Sequence, residues 1–274
     1  MKKILAVSIV SAFIFAVLWI LKLFDVTRNL LILNLVGAGL FLIGAWVLKI
    51  LSPKMGTSRF FCIKPINLLE TRLTLCLSII LICGSFLINY ATSLFYAYIS
   101  VDAPTAFSAD GYSSPLIAIL CVIVLPPLVE EIFFRGAVMT MLRTAKLKPV
   151  AVVGASAFLF MVLHGPGWYF LSDLFAGILL GMLVYLTGSV YSSVAAHFLS
   201  NLISYILAHY GERLVDAGIG DLTVHVIVIC LVGAVCHLLH LLKKLILLRD
   251  KEDRSRINEN SRRWEEQKTK GEQK

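Results

Sequence analysis

Long apolar stretches recur along the chain, and short segments that hold most of the charged residues separate them. Each stretch has about 20 apolar residues, the length that a helix needs to cross a hydrocarbon core of roughly 30 Å. The pattern predicts helices over 4–24, 29–51, 69–99, 115–143, 149–164, 170–187, 190–210 and 222–248. The predicted fold class is therefore an all-α, polytopic transmembrane helix bundle with about eight spans.

The composition agrees with this pattern: 58% of the residues are hydrophobic, 15% are charged and the mean hydropathy is +0.85. Such a chain leaves no room for a soluble domain, so we expect an integral, multi-pass protein of the plasma membrane. The formal net charge of +8 comes from loops and a C-terminal tail, not from a folded surface with interleaved aromatic residues. We therefore expect the lipid bilayer, and not nucleic acid, as a partner.

Most basic residues lie on one side of the predicted bundle when Lys2 and Lys3 are cytoplasmic and the number of spans is even. The opposite side receives Lys22, Arg28 and Arg213. The positive-inside rule then predicts that both termini are cytoplasmic.

One predicted span contains a group of charges, Glu130, Glu131 and Arg135, and charges inside a span are by default a hypothesis of function. Glu131 and Arg135 are i and i+4 neighbours, which favours an ion pair. Glu130 points away from that pair, so it is the candidate proton carrier. Pro126 and Pro127, just upstream, can leave backbone carbonyls free beside this site. The alternative is a buried polar contact between helices.

Two further polar groups lie on later spans. His164 ends one span just before a helix-breaking turn, and His197 and Asn201 lie four residues apart on the same face of another. The latter two could donate hydrogen bonds toward one point and so hold an oxyanion or a water. The alternatives are a helix-end or interface role for His164 and polar contacts between helices for His197 and Asn201.

Small and acidic residues follow the turn after His164. Gly177 and Gly181 form a small-xxx-small face that predicts close packing of two helices. Asp173 either lines the mouth of the site or begins its helix as a favourable N-terminal charge.

Taken in order, the groups Glu130-Glu131-x-x-x-Arg135, Phe160-x-x-x-His164 and His197-x-x-x-Asn201 resemble the three motifs of the CPBP family (CAAX protease and bacteriocin-processing) of intramembrane proteases. This family is also called the type II CAAX prenyl endopeptidase or Abi family. The resemblance covers roughly residues 115–210. It implies an intramembrane endopeptidase, a hydrolase that cleaves a peptide bond in a membrane-associated protein or peptide of the CAAX type or the bacteriocin or pheromone type.

The resemblance also implies roles for the residues. Glu130 would activate a water, His164 would position or polarise it, and His197 and Asn201 would steady the oxyanion. Glu131 and Arg135 would orient Glu130.

The metal dependence stays open, because the family has been described both as zinc-dependent and as glutamate-dependent without a metal. A zinc ion would take its ligands among Glu130, His164 and His197. In that case Glu131 would have to be the base although it is placed to pair with Arg135. This conflict favours a mechanism without a metal.

Two other functions fit the same polar residues: a non-catalytic membrane protein that binds a peptide, such as a bacteriocin-immunity factor, and a proton-coupled transporter. The chain shows no internal repeat that would support the transporter.

The predicted organisation has four parts: N-terminal helices of unassigned role at 1–110, a CPBP-like catalytic core at 111–210, a C-terminal helix at 211–248 and a charged cytoplasmic tail at 249–274. The tail has too few apolar residues to bury a core, so we expect a solvated topology anchor. A contact with a partner or with anionic lipid is the alternative.

Overall fold

The computed structural model describes residues 1–23, 30–99, 114–164, 169–216, 225–244 and 246–247. Over these residues it consists of helices and turns without a strand, so the predicted all-α class is confirmed. The main helices are α1 (Lys2–Leu23), α2 (Leu30–Ile50), α3 (Leu68–Tyr98), α4 (Pro115–Thr144), α5 (Pro149–His164), α6 (Phe170–Thr187), α7 (Val190–Asp216) and α8 (His225–Lys244), with a short helix at Thr57–Phe60. The tail predicted at 249–274 lies outside the described residues.

Seven of these helices are long and apolar enough to cross a membrane, and α5 is a shorter apolar helix of 16 residues. The prediction of about eight spans therefore corresponds to seven full-length candidates and α5. The chain is an integral, multi-pass membrane protein. The largest difference in bounds is α7, which continues to Asp216 instead of ending near residue 210.

Two buried apolar clusters hold the bundle together. The first joins α1, α2, α4 and α5, and its centre is a group of aromatic rings in which Phe41 lies 5.3 Å from Phe133 and 5.5 Å from Phe134 between centroids. The second joins α3, α6, α7 and α8 around Leu77 and Leu180. The N-terminal helices thus pack directly against the helix that carries the charged group.

Helices α5 and α6 pack closely through small residues, as predicted. A Cβ atom on Gly177 would lie 2.8 Å from the Cα atom of Ala157, and one on Gly181 would lie 3.1 Å from a methyl group of Val153. A side chain at Gly177 would therefore have to push the two backbones apart. This contact brings the α6 backbone close to the charged side chains of α4.

The segment between α2 and α3 folds over the α6–α7 turn. The backbone N–H of Val190 donates to the carbonyl oxygen of Cys62 at 2.9 Å, and Lys64 Nζ donates to the carbonyl oxygen of Thr187 at 3.1 Å. Lys64 also pairs with Glu70 at 2.7 Å. Glu70 and Asn67 form a reciprocal capping box that starts α3.

Candidate active site

Helix α4 is not a regular α-helix where it carries the charged group. Its hydrogen bonds follow the π pattern over Ile119–Val124 and again over Ile132–Val138, with an α-helical stretch, Leu125–Glu131, between them. Such π segments occur frequently at functional sites. Glu130 and Glu131 lie at the end of the stretch between the two distortions.

The two prolines explain the first distortion. The carbonyl oxygen of Val122 would accept from residue 126 in an α-helix and from residue 127 in a π-helix, and neither proline has an N–H. Asn201 of α7 supplies the missing donor, because its Nδ2 lies 2.9 Å from that oxygen. The prediction that the prolines free a carbonyl beside the site is confirmed.

Glu131 is the centre of a buried charge network. Its Oε1 accepts from Arg135 Nη1 at 2.8 Å and from His197 Nδ1 at 3.0 Å. The side chains of Glu131 and Arg135 are fully buried. A charge in an apolar interior needs a partner, and each of these two charges is the partner of the other. The ion pair predicted from the i, i+4 spacing is present, and His197 is a second partner that the spacing did not indicate.

Phe160 and the α6 backbone complete the environment of Arg135. Arg135 Nη2 donates to the carbonyl oxygen of Gly177 at 3.1 Å, and the guanidinium lies 4.6 Å from the ring centroid of Phe160. The same ring lies 4.3 Å from the imidazole of His164 and 5.8 Å from that of His197. The three sequence groups therefore meet around one phenylalanine ring.

Glu130 faces His164 across a short gap. Its Oε2 lies 3.7 Å from His164 Nε2, too far for a hydrogen bond, and this buried oxygen has no hydrogen-bond partner among the described residues. His164 Nδ1 lies 2.8 Å from the carbonyl oxygen of Phe160. A carbonyl can only accept, so the proton is on Nδ1, and Nε2 of a neutral imidazole presents its lone pair toward Glu130.

His197 and Asn201 each use one N–H donor for a separate contact. His197 Nδ1 binds the carboxylate of Glu131, whereas Asn201 Nδ2 binds the backbone of α4. These two atoms therefore bind different acceptors. A second N–H on Asn201 and the Nε2 atom of His197 remain as the groups that could serve an oxyanion, and that role stays a prediction.

Sequence reasoning missed two groups that hold the site together: the ring of Phe160, as a surface against Arg135, and the carbonyl of Gly177. The predicted small-residue face was the signal for the carbonyl of Gly177. Because glycine has no side chain, another helix and its side chains can come close to this carbonyl. Asp173, in the first turn of α6, is close enough to interact electrostatically with Glu130 and His164. This proximity agrees with a place near the mouth of the site, and the position in the first turn agrees equally with the alternative of a favourable N-terminal charge.

The set Glu130, His164 and His197 is not assembled as a metal site. Among the described residues, no group of three or more His, Cys, Asp or Glu side chains is close enough to hold a metal ion. Glu130 and His164 face each other, and the described residues bring no third such side chain close enough to join them, whereas a catalytic zinc site has three protein ligands. Within the described part of the chain, the side chains as placed therefore do not fit a metal.

The fold and this cluster define a class: a polytopic helical membrane protein with a buried, polar site formed by α4, α5 and α7. Residues 112–203 match the family model described as "Type II CAAX prenyl endopeptidase Rce1-like". This match supports a CPBP/CAAX protease-like family, as the three motifs predicted, and it covers about a third of the chain. The family is in general one of intramembrane CAAX-type proteases. No curated protein and no solved structure matches the chain significantly.

Proposed function

We propose that the protein is an intramembrane endopeptidase that hydrolyses a peptide bond in a membrane-associated protein or peptide, with residues 111–210 as its catalytic core. The observation that carries this proposal is the pair of acceptors at the site. Glu130 Oε2 and His164 Nε2 lie 3.7 Å apart, and each offers an open lone pair when the imidazole is neutral. A water bound to one side of both atoms would donate one proton to each, which leaves its oxygen lone pairs free to attack a carbonyl carbon.

The reaction follows from these positions. The water oxygen bonds to the amide carbon while Glu130 takes a proton from the water. The carbonyl oxygen becomes an oxyanion, and the second N–H of Asn201 and His197 Nε2, in the protonated imidazole, would donate to it. Glu130 then returns its proton to the amide nitrogen, the carbon–nitrogen bond breaks and the two peptide products leave.

The remaining polar residues would be positioning residues. Glu131 lies next to Glu130 in the chain, and its own carboxylate is held by Arg135 and His197. A charge that is paired in this way keeps the α4 backbone at a fixed rotation. This fixed rotation of α4 would keep the carboxylate of Glu130 facing His164.

The test compares purified wild type, Glu130→Gln and Glu70→Gln in detergent, using a quenched fluorescent peptide library with and without a chelator. Glu70→Gln is the matched control, because glutamine can also complete the capping box at the start of α3. We expect cleavage by wild type and by the control, and none by Glu130→Gln at an equal melting temperature. Equal cleavage by Glu130→Gln would overturn the proposal.

The chelator answers a separate question. Cleavage that survives chelation favours the reaction written above, whereas loss on chelation and recovery with zinc would replace it with a metal mechanism. Absence of cleavage by wild type, together with peptide binding that survives Glu130→Gln, would favour a non-catalytic peptide-binding or immunity protein.

A further inference from the structure

The exposure of the site residues rises in one direction. The side chains of Arg135 and Glu131 are 0% exposed, those of His197 and Glu130 are 10% and 11% exposed, and that of His164 is 33% exposed. His164 is the last residue of α5. Among the residues that the structure describes, access to the site therefore increases toward the end of the bundle at which α5 stops.

Packing closes the opposite side of the site. Phe60 and Phe61 are buried there, and the Phe61 backbone lies 3.2 Å from the position that a Cβ on Gly136 would take. The α6–α7 turn, with Ser189 fully buried, lies under the segment that leads into α3. Ser189 also donates to the carbonyl oxygen of Lys64. These contacts separate the site from the end of the bundle that holds this segment.

The lengths of the helices agree with an opening at the other end. Helices α5 and α6 have 16 and 18 residues, whereas α3 and α4 have 31 and 30. At about 1.5 Å per residue, the first two are roughly 24–27 Å long and the others roughly 45 Å. His164 ends the first of the two short helices, and Asp173 lies in the first turn of the second.

The two ends of the bundle differ in charge, and we call them the basic end and the acidic end. The basic end carries Lys2, Lys3, Lys49, Lys54, Arg59, Lys64, Arg72, Arg143, Lys146, Lys148, Lys243 and Lys244. The segments at the acidic end contain, by sequence, Asp25, Asp102, Asp110, Glu212, Asp216 and Asp221 against Lys22, Arg28 and Arg213. The closed side of the site faces the basic end, and the mouth faces the acidic end.

The positive-inside rule places the basic end in the cytoplasm. We infer that the site opens toward the non-cytoplasmic face of the membrane and that its substrate is a polypeptide presented from that face. Such a substrate is an exported peptide or an extracytoplasmic segment of a membrane protein, and not a C-terminal tail in the cytosol. The substrate class rests on the proposed protease function, whereas the direction of the mouth does not.

The rim of the mouth fits a peptide that lies at the membrane surface. Phe170 and Leu171 lie in the first turn of α6, as Asp173 does, and are 42% and 47% exposed. An apolar rim beside a polar cleft suits an extended substrate peptide. The apolar side chains of such a peptide would lie in lipid, and its peptide bond would lie at the carboxylate of Glu130.

Cysteine labelling in intact cells tests the direction of the mouth. The six native cysteines are replaced by serine or alanine, and Leu171→Cys and Lys54→Cys are compared with a membrane-impermeant maleimide. We expect labelling at residue 171 in intact cells and at residue 54 after permeabilisation. The reverse pattern would overturn the inference. If the cysteine-free chain does not fold, green fluorescent protein fused to the C-terminus of the native chain gives the same answer, since it fluoresces in the cytoplasm and stays dark after export.

Cleavage in cells tests the substrate class. Two sets of single-span reporter proteins carry a randomised juxtamembrane segment, one set on the outer side and one on the cytoplasmic side. We expect loss of reporters of the outer set in cells with wild type but not with Glu130→Gln. Glu130-dependent cleavage confined to the cytoplasmic set would overturn the inference. Cleavage of neither set, with the expected labelling, would refute the protease function while supporting the direction of the mouth.

Discussion

Asn201 donates a hydrogen bond to the carbonyl oxygen of Val122, the oxygen that the two following prolines leave without a helical donor. The bond joins α7 to α4 eight residues before Glu130. It gives Asn201 a definite structural task at the site, whatever part its second N–H takes in the reaction. The backbone conformation of α4 and the identity of residue 201 should therefore be coupled.

A double-mutant cycle measures this coupling. Asn201→Ala leaves the Val122 carbonyl without a donor, which costs about 1–3 kcal/mol in the free energy of unfolding. Pro126→Ala restores an N–H at the α-helical position, so the same Asn201→Ala change should then cost at least about 0.5 kcal/mol less. Chemical unfolding of the four proteins in detergent checks this. Strictly additive effects would show that Asn201 does not serve that carbonyl.

The buried pair of Glu131 and Arg135 predicts that removing one charge costs more stability than removing both. Arg135→Met leaves the carboxylate of Glu131 without its guanidinium partner and should cost about 3–5 kcal/mol in unfolding free energy. Removing both charges with Glu131→Gln and Arg135→Met should cost less than Arg135→Met alone, because no unpaired charge remains. Arg143→Met, at the end of the same helix, is the control. A double variant that is less stable than Arg135→Met would contradict this account.

Features that depend on a single helix, such as its bounds and its i, i+4 ion pair, could be predicted well from the sequence. The helices expected at 149–164 and 170–187 have those bounds in the structure, because apolar runs between breaking turns determine them. The pair of Glu131 and Arg135 follows from helical spacing in the same way.

Contacts between helices could not be predicted from the sequence in this way. His197 binds Glu131 across 66 residues and Arg135 reaches Gly177 across 42. Such contacts depend on the depth and rotation at which two helices pack, and spacing within one helix carries no information on either. The same limit explains why His197 and Asn201, although on one face, bind different acceptors.

Gly177 predicts a third effect, since it sets the distance between α5 and α6. Gly177→Ala places a Cβ 2.8 Å from the Cα atom of Ala157 and should destabilise the protein by about 1–3 kcal/mol. It should also lower kcat, because the carbonyl that binds Arg135 moves with the helix. Gly154→Ala, on the exposed face of α5 with nothing within 4 Å of the new methyl group, is the control and should change stability by less than about 1 kcal/mol. Similar melting temperatures for the two variants would contradict the packing argument.

His164 offers a test of which ring nitrogen matters. An asparagine at this position can keep the hydrogen bond that Nδ1 now makes to the carbonyl of Phe160, but it has no atom in the place of Nε2. If Nε2 and Glu130 hold the attacking water, His164→Asn should melt like wild type and lose cleavage by about 10²–10⁴-fold in kcat.

His164→Gln is the complementary variant, because its longer amide can reach the Nε2 position while the bond to Phe160 is lost. It should retain more activity than His164→Asn and melt at a lower temperature. If His164→Asn cleaves within tenfold of wild type, Nε2 does not take part in the reaction and the role of His164 is confined to closing the end of α5.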